Sequence, residues 1–152
     1  MIKKLFEEEY PGLKLKCQII REKSNNYAKI NVKNSADIAK LLEPLKRVDK
    51  EQFVLVLLNN KNIVIGINTV YIGQIDSIYI SPREIVKIAL LSNSRSIIIS
   101  HNHLSDDPNP SAEDKDTTQK LKSVLTSMDI KLLDHIIVAP SEYYSFADNN
   151  LL

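Results

Sequence analysis

The sequence has very little cysteine, since Cys17 is the only one among its 152 residues. A single thiol can build neither a disulfide framework nor a zinc site made of thiolates. Sparing use of cysteine is typical of proteins that work in a reducing compartment, so we expect a cytoplasmic location.

An excess of one charge and long apolar runs are also lacking. With 20 Lys and Arg against 19 Asp and Glu, the net charge is +1, and the positive residues are dispersed. Nucleic acid as a partner is therefore not supported by charge, although a local patch remains compatible with it. The longest apolar runs, such as 53–58, are too short to cross a bilayer, and the acidic start MIKKLFEEEY lacks the apolar core of a signal peptide. We expect no membrane partner.

The order of the elements predicts an α/β fold with a mixed β-sheet flanked by helices. Hydrophobic periodicity predicts strands at 13–22, 52–58, 63–70, 71–80, 96–100, 130–139 and 143–147, the second and third of these forming a hairpin. Helices are predicted at 35–47, 82–91 and 111–128. Ser35 is the expected N-cap of the first, which Pro44 ends early, and Ser81 and Glu84 are expected to form a capping box on the second.

Two of the three histidines stand one residue apart at the end of an apolar run. His101 and His103 follow the segment SIIIS, and Asp114 comes 11 residues after His103, in the first turn of the helix that Ser111 opens. In an extended segment residues i and i+2 point to the same side, so both imidazoles can converge on one ion. Two imidazoles and a carboxylate suit a zinc ion with an open fourth position for water, the arrangement of catalytic zinc.

Local helix chemistry offers a second explanation for the same residues. Ser111 is a good N-cap, and Asp114 stands where the carboxylate of a capping box stands. The two histidines are equally compatible with a polar loop. Spacing alone therefore leaves both the metal site and the helix cap open.

The stretch resembles the RadC family, a branch of the JAMM (MPN-plus) metalloprotease superfamily. The superfamily pattern is a distant Glu, then His-x-His, ten residues and Asp, with Ser three before the Asp, and every spacing matches here. Further RadC-like segments are 81–84, 110–114, 134–138 and Tyr144-Ser145. The resemblance implies a three-layer, cytidine-deaminase-like JAMM/MPN domain at 36–152. It leaves 1–35 as an N-terminal extension, where many RadC proteins carry a helix-hairpin-helix module.

The resemblance also implies a role for each matching residue. The implied zinc ligands are His101, His103 and Asp114. Ser111 is implied to support the water or oxyanion, and the implied general base is Glu51, with Glu84 as the alternative. Asn102 and His135 occupy family positions that brace the loop or support a ligand from behind.

The implied activity is zinc-dependent hydrolysis of a peptide or isopeptide-like amide bond in an unidentified protein or peptide. The alternatives are a DNA-repair-associated protein, as the family name implies, and a non-catalytic interaction scaffold; a homo-oligomer is compatible with each. RadC proteins usually have Pro-Ser-Gly after the second histidine, and here the residues are Leu104-Ser105-Asp106. This departure changes the loop backbone and adds a carboxylate near the site, so we expect it to affect substrate preference or metal affinity.

Overall fold

In the computed structural model, residues 30–73 and 80–152 are described, and strands alternate with helices within them. The helices are α1 (Ser35–Leu41), α2 (Pro82–Leu91) and α3 (Ala112–Ser127), with a 3-10 helix at Glu43–Arg47. The strands are β1 (Glu51–Leu58), β2 (Val64–Gly73), β3 (Ser96–Asn102), β4 (Lys131–Val138) and β5 (Tyr143–Ser145). They form one sheet in the order β2-β1-β3-β4-β5, in which β3 and β4 are parallel and the other pairs antiparallel. The predicted α/β fold with a mixed sheet is confirmed.

Strand β1, which lies between β2 and β3, contributes to two hydrophobic cores, one on each face of the sheet. The core that includes α2 and α3 takes its odd-numbered residues Phe53, Leu55 and Leu57. The core that includes α1 takes the even-numbered residues Val54, Val56 and Leu58. A strand covered by helices on both faces needs apolar residues at successive positions, which explains the nearly unbroken apolar run in the sequence.

Three chain segments meet at one end of the sheet. Strands β3 and β4 are parallel, and α3 connects them, so α3 begins near the carboxyl end of β3. Strand β1 is antiparallel to β3, with Phe53 opposite His101, so β1 begins at that same end. The end of β3, the start of α3 and the start of β1 therefore supply neighbouring side chains.

Two predictions about helix starts are wrong. The N-cap of α1 is Asn34, whose side-chain oxygen accepts a hydrogen bond from the Asp37 amide at 3.0 Å; Ser35 is already the first helical residue. The capping box of Ser81 and Glu84 does not form. The Ser81 amide donates to the Tyr71 hydroxyl at 3.1 Å, so it does not need the Glu84 carboxylate.

The predicted strand at 71–80 is not a separate strand where the structure describes it. Tyr71 pairs with Phe53 and Gly73 with Glu51, across an irregularity in register, so the pairing of β1 with β2 continues through Gly73. Residues 74–79 lie outside the described residues, as does the strand predicted at 13–22. None of the helices in the described ranges is long and apolar enough to cross a membrane.

Replacing Asn34 with Ala should lower the free energy of unfolding by about 1 kcal/mol, because the first turn of α1 loses its side-chain acceptor. Asn34→Asp is the matched control, since it keeps an oxygen at the same place and should remain close to wild type. Urea denaturation of the three proteins checks this. Equal destabilisation by both substitutions would contradict the assignment of Asn34 as the cap.

Candidate metal centre

The two neighbouring histidines converge because β3 carries its extended backbone past them. His101 lies in β3, and the His103 amide continues the pairing by donating to the Val138 carbonyl at 2.9 Å. Extended geometry places both side chains on the same face of the sheet, and their Nε2 atoms are 3.0 Å apart. The ring of Phe53 stacks on His101, with 6.3 Å between ring centres and 11° between planes. The apolar ring of Phe53 thus packs against the imidazole of His101, whose Nε2 faces the imidazole of His103.

Asp114 serves the helix cap and the histidine pair at once. Its Oδ2 accepts hydrogen bonds from the Ser111 amide at 2.8 Å and the Ser111 hydroxyl at 2.7 Å, and the Ser111 oxygen accepts from the Asp114 amide at 3.0 Å. This is the complete capping box of α3. The other oxygen, Oδ1, lies 3.2 Å from Nε2 of His101. The two explanations that spacing left open are therefore compatible, because a carboxylate has two oxygens.

Hydrogen bonding shows that this cluster fits a metal ion. Nδ1 of His103 lies 2.8 Å from the Asp107 carbonyl, which can only accept, so Nδ1 carries the proton and neutral His103 directs the lone pair of Nε2 into the cluster. Ligands of a tetrahedral zinc ion lie about 3.3 Å from one another. Nε2 of His101 lies 3.0 Å from Nε2 of His103 and 3.2 Å from Oδ1 of Asp114, and Nε2 of His103 lies 3.7 Å from the other carboxylate oxygen, Oδ2. These three residues could hold a metal ion.

Burial and charge make the two imidazoles unequal. Burial lowers the pKa of His101 to about 4, against the opposing attraction of Asp114. The pKa of His103 is raised, chiefly by its interaction with the Asp114 carboxylate, with further contributions from Asp107 and Glu51. For Asp114, burial acts to raise the pKa, but His103, His101 and Ser111 outweigh it, so the pKa is well below its usual range. The carboxylate stays ionised and favours a cation beside it.

Asn102 holds the beginning of β1 rather than its own loop. Its side-chain oxygen accepts from the Gln52 amide at 2.7 Å, and its side-chain nitrogen donates to the Lys50 carbonyl at 3.2 Å. These two backbone groups flank Glu51. Because side chains alternate along a strand, Glu51 lies on the same face as Phe53, two residues on, and hence on the face of His101.

The two candidates for the general base have different surroundings. The negative charge of Glu51 helps to raise the pKa of His103, which places Glu51 within electrostatic range of the cluster. Glu84 lies on α2 and forms an exposed ion pair with Lys87. The register of β1 and this charge effect put Glu51 on the side of the sheet where the cluster lies, whereas the partner of Glu84 is Lys87. The residue expected to support the water or oxyanion, Ser111, donates its hydroxyl hydrogen to the Asp114 carboxylate.

A buried chain of hydrogen bonds lies behind His101. Its Nδ1 is 2.9 Å from Nε2 of His135, whose Nδ1 is 2.6 Å from the hydroxyl of Thr118. That hydroxyl donates to the backbone carbonyl of Asp114 at 2.6 Å. Sequence reasoning missed Thr118; its spacing of four residues from Asp114, on one face of a helix, was the available signal.

The loop that departs from the RadC pattern is tied down by its acidic residue. Asp106 accepts hydrogen bonds from the amide and the hydroxyl of Ser141, at 2.9 and 2.8 Å. Its carboxylate is thus occupied at the turn after β4 instead of at the histidine pair. Leu104, the residue after His103, is 52 % exposed, so the loop presents an apolar side chain to solvent.

Acidification should destabilise the metal-free protein between pH 6.5 and 5. The folded state keeps His101 neutral with a pKa of about 4, whereas the unfolded pKa is 6.5, so the unfolded chain binds more protons as the pH falls. This group alone removes on the order of 3 kcal/mol once the pH reaches the folded pKa. The raised pKa of His103 does not obscure the effect, because its stabilising contribution is already complete below pH 6.5.

Urea denaturation of chelator-treated protein at pH 6.5 and pH 5 measures this loss. His101→Gln is the comparison, since it removes this titrating group and should reduce the dependence; the part that remains comes from His135, whose pKa is also lowered by burial. An equal loss of stability in both proteins would show that His101 is not its source.

Comparison with known proteins shows to which family this region is similar. A family described as the RadC-like JAB domain matches residues 32–151. A UPF0758 protein of Clostridium novyi is 43% identical over 122 residues, covering 80% of this chain and 54% of the relative. The UPF0758 protein YfjY of Escherichia coli is 42% identical over 105 residues, covering 69% of this chain and 66% of the relative. A UPF0758 protein of Staphylococcus haemolyticus is 40% identical, with 79% and 53% covered. The chain spans about half the length of most of these relatives.

Proposed function

This chain belongs to the RadC family of JAB-domain proteins, and on that basis we propose that it is a zinc-dependent hydrolase of JAMM type that cleaves a peptide or isopeptide-like amide bond. The observation that carries the proposal is the convergence of His101, His103 and Asp114, each of which offers one ligand atom within 4.8 Å of the other two. Three protein ligands leave a fourth position for water, as catalytic zinc requires.

Each residue around the cluster has a proposed task. A zinc ion would lower the pKa of water to about 7 and so supply a nucleophile at neutral pH. Glu51 would accept the proton of that water and return it to the leaving amine. Ser111 would steady the oxyanion, which requires its hydroxyl to turn away from Asp114. The Ser111 amide would still hold Oδ2 of Asp114 during this rotation, so the carboxylate would keep its orientation.

The proposed substrate is a protein or peptide, and the exposed Leu104, one residue after His103, supports an apolar residue near the bond that is cut. The proposed compartment is the cytoplasm, in keeping with the single cysteine. A non-catalytic scaffold is the competing proposal, and the experiments below separate the two.

Purified wild-type protein should contain one zinc ion per chain, and both His103→Ala and Asp114→Ala should lose it. Each substitution removes one of three ligands, which leaves too few for tight binding. Elemental analysis after dialysis measures the content, and circular dichroism checks folding. Asp116→Ala is the matched control, because Asp116 is an exposed carboxylate on the same helix and should keep its zinc. Stoichiometric zinc in both ligand variants would refute the assignment.

Glu51→Gln should keep zinc but lose amide hydrolysis by about 10²- to 10⁴-fold, because glutamine cannot accept the proton. Turnover is measured by mass spectrometry on a library of peptides, with and without a lysine isopeptide bond. Glu84→Gln is the control and should retain both zinc and turnover. Equal activity of wild type and Glu51→Gln would refute the role of Glu51. Zinc-loaded wild type that cleaves no member of the library would favour the scaffold.

A further inference from the structure

We propose that Thr118 and His135 are positioning residues that set the tautomer of His101, so that its Nε2 presents a lone pair to the metal. This inference rests on the proposed metal site. It starts from three consecutive contacts, of 2.6, 2.6 and 2.9 Å, that run from the Asp114 carbonyl through Thr118 and His135 to Nδ1 of His101.

The direction of this chain follows from counting donors and acceptors. The backbone carbonyl of Asp114 can only accept, and the hydroxyl of Thr118 has a single hydrogen to donate. At 2.6 Å that hydrogen lies between the two oxygens, since two oxygen lone pairs would otherwise face each other. The Thr118 oxygen is then left to accept, and the atom beside it, at 2.6 Å, is Nδ1 of His135.

His135 transmits the direction to His101. A neutral imidazole with a proton on Nδ1 has a lone pair on Nε2, so His135 accepts from Nδ1 of His101 across 2.9 Å. His101 then carries its proton on Nδ1, and its Nε2 faces His103 and Asp114 as an acceptor. The ring of His135 stacks on that of Phe146, with ring centres 4.6 Å apart. One face of the imidazole is thus covered by an apolar ring, which favours the neutral form of His135.

Burial keeps bulk water away from these hydrogen bonds, which fixes their direction. Thr118, His101 and His135 are each at most 1 % exposed, so bulk water does not replace a missing partner. The reversed chain would place a proton on Nε2 of His101, where it would block the lone pair that a metal needs. It would also leave the Thr118 and Asp114 oxygens in repulsive contact. The favoured direction instead gathers the Nε2 lone pairs of His101 and His103 beside the Asp114 carboxylate, and a cation at that point would relieve their mutual repulsion. It is therefore the direction that suits metal binding.

Asp114 thereby acts on the site twice, through different atoms. Its carboxylate Oδ1 faces His101 directly, and its backbone carbonyl orients His101 through Thr118 and His135. His103 is oriented separately, by the Asp107 carbonyl. Both imidazoles are thus directed by backbone carbonyls, one directly and the other through two side chains. Partners behind metal-binding histidines typically change affinity by about 10- to 100-fold when they are replaced.

The first test is the tautomer of His101 in metal-free wild-type protein. The chain has only three histidines, so a long-range ¹H–¹⁵N correlation spectrum of ¹⁵N-histidine-labelled protein at about pH 8 resolves each ring. We expect protons on Nδ1 of both His101 and His135. A proton on Nε2 of either ring would overturn the proposal without any variant.

The second test compares Thr118→Val with Thr118→Ser. Valine has nearly the shape of threonine but no hydroxyl, so His135 loses its acceptor, and His101 should move its proton to Nε2 in part or in full. The Kd for zinc, from competition with a chromophoric chelator, should rise about 10- to 100-fold. Serine keeps the hydroxyl and should retain the wild-type tautomer and affinity. An unchanged tautomer and Kd in Thr118→Val would overturn the proposal.

A second pair of variants covers the case in which Thr118→Val fails to fold. In His135→Gln a side-chain oxygen can still accept from Nδ1 of His101, whereas in His135→Leu no acceptor remains. Glutamine should keep the Nδ1 proton and most of the zinc affinity, and leucine should lose both; equal behaviour of the two variants would overturn the proposal. Wild type with the expected tautomers but no affinity for zinc would refute the proposed function and leave the hydrogen-bond direction standing.

Discussion

The carboxylate of Asp114 joins the beginning of α3 to the end of β3. One oxygen completes the capping box with Ser111, and the other faces the imidazole of His101. The same interaction stabilises a helix terminus and positions a group for metal binding, so neither can change without the other. Because α3 begins where β3 ends, a side chain in its first turn reaches that end of the sheet. The proposed zinc ligation, the proposed catalysis and the proposed tautomer control of His101 all depend on this junction.

Burial of polar groups gives the surrounding residues their roles. His101, Asn102 and His135 are almost fully buried, and a buried polar group without a partner costs free energy. Asn102 binds the backbone on both sides of Glu51, and His135 binds Thr118 and His101. Each of these contacts reduces the freedom of a group that the proposed reaction uses. The rigidity of the site thus follows from satisfying buried donors and acceptors, before any ligand is considered.

Much of the fold could be predicted from local patterns. The apolar run in β1, the SIIIS segment of β3 and the Ser111 cap of α3 are each visible within a few residues of sequence, and each forms as expected. The failures were at positions where two local choices compete. Asn34 and Ser35 are adjacent residues that both favour N-caps, and the Ser81 amide found a distant partner in Tyr71. Local sequence ranks such choices poorly, because contacts from elsewhere in the chain decide them.

For the candidate site, the sequence by itself determined which metal-binding residue types are present, because His101, His103 and Asp114 match the RadC pattern, although their spacing alone is equally compatible with a helix cap. Only the tertiary structure decided what surrounds them. It placed Glu51 on the face of His101 through the antiparallel pairing of β1 with β3, and brought His135 behind His101 through the parallel pairing of β3 with β4. Thr118 joined the site because α3 packs against β4. Hydrogen bonds between residues distant in sequence depend on strand order and register, which have no local signature in the chain.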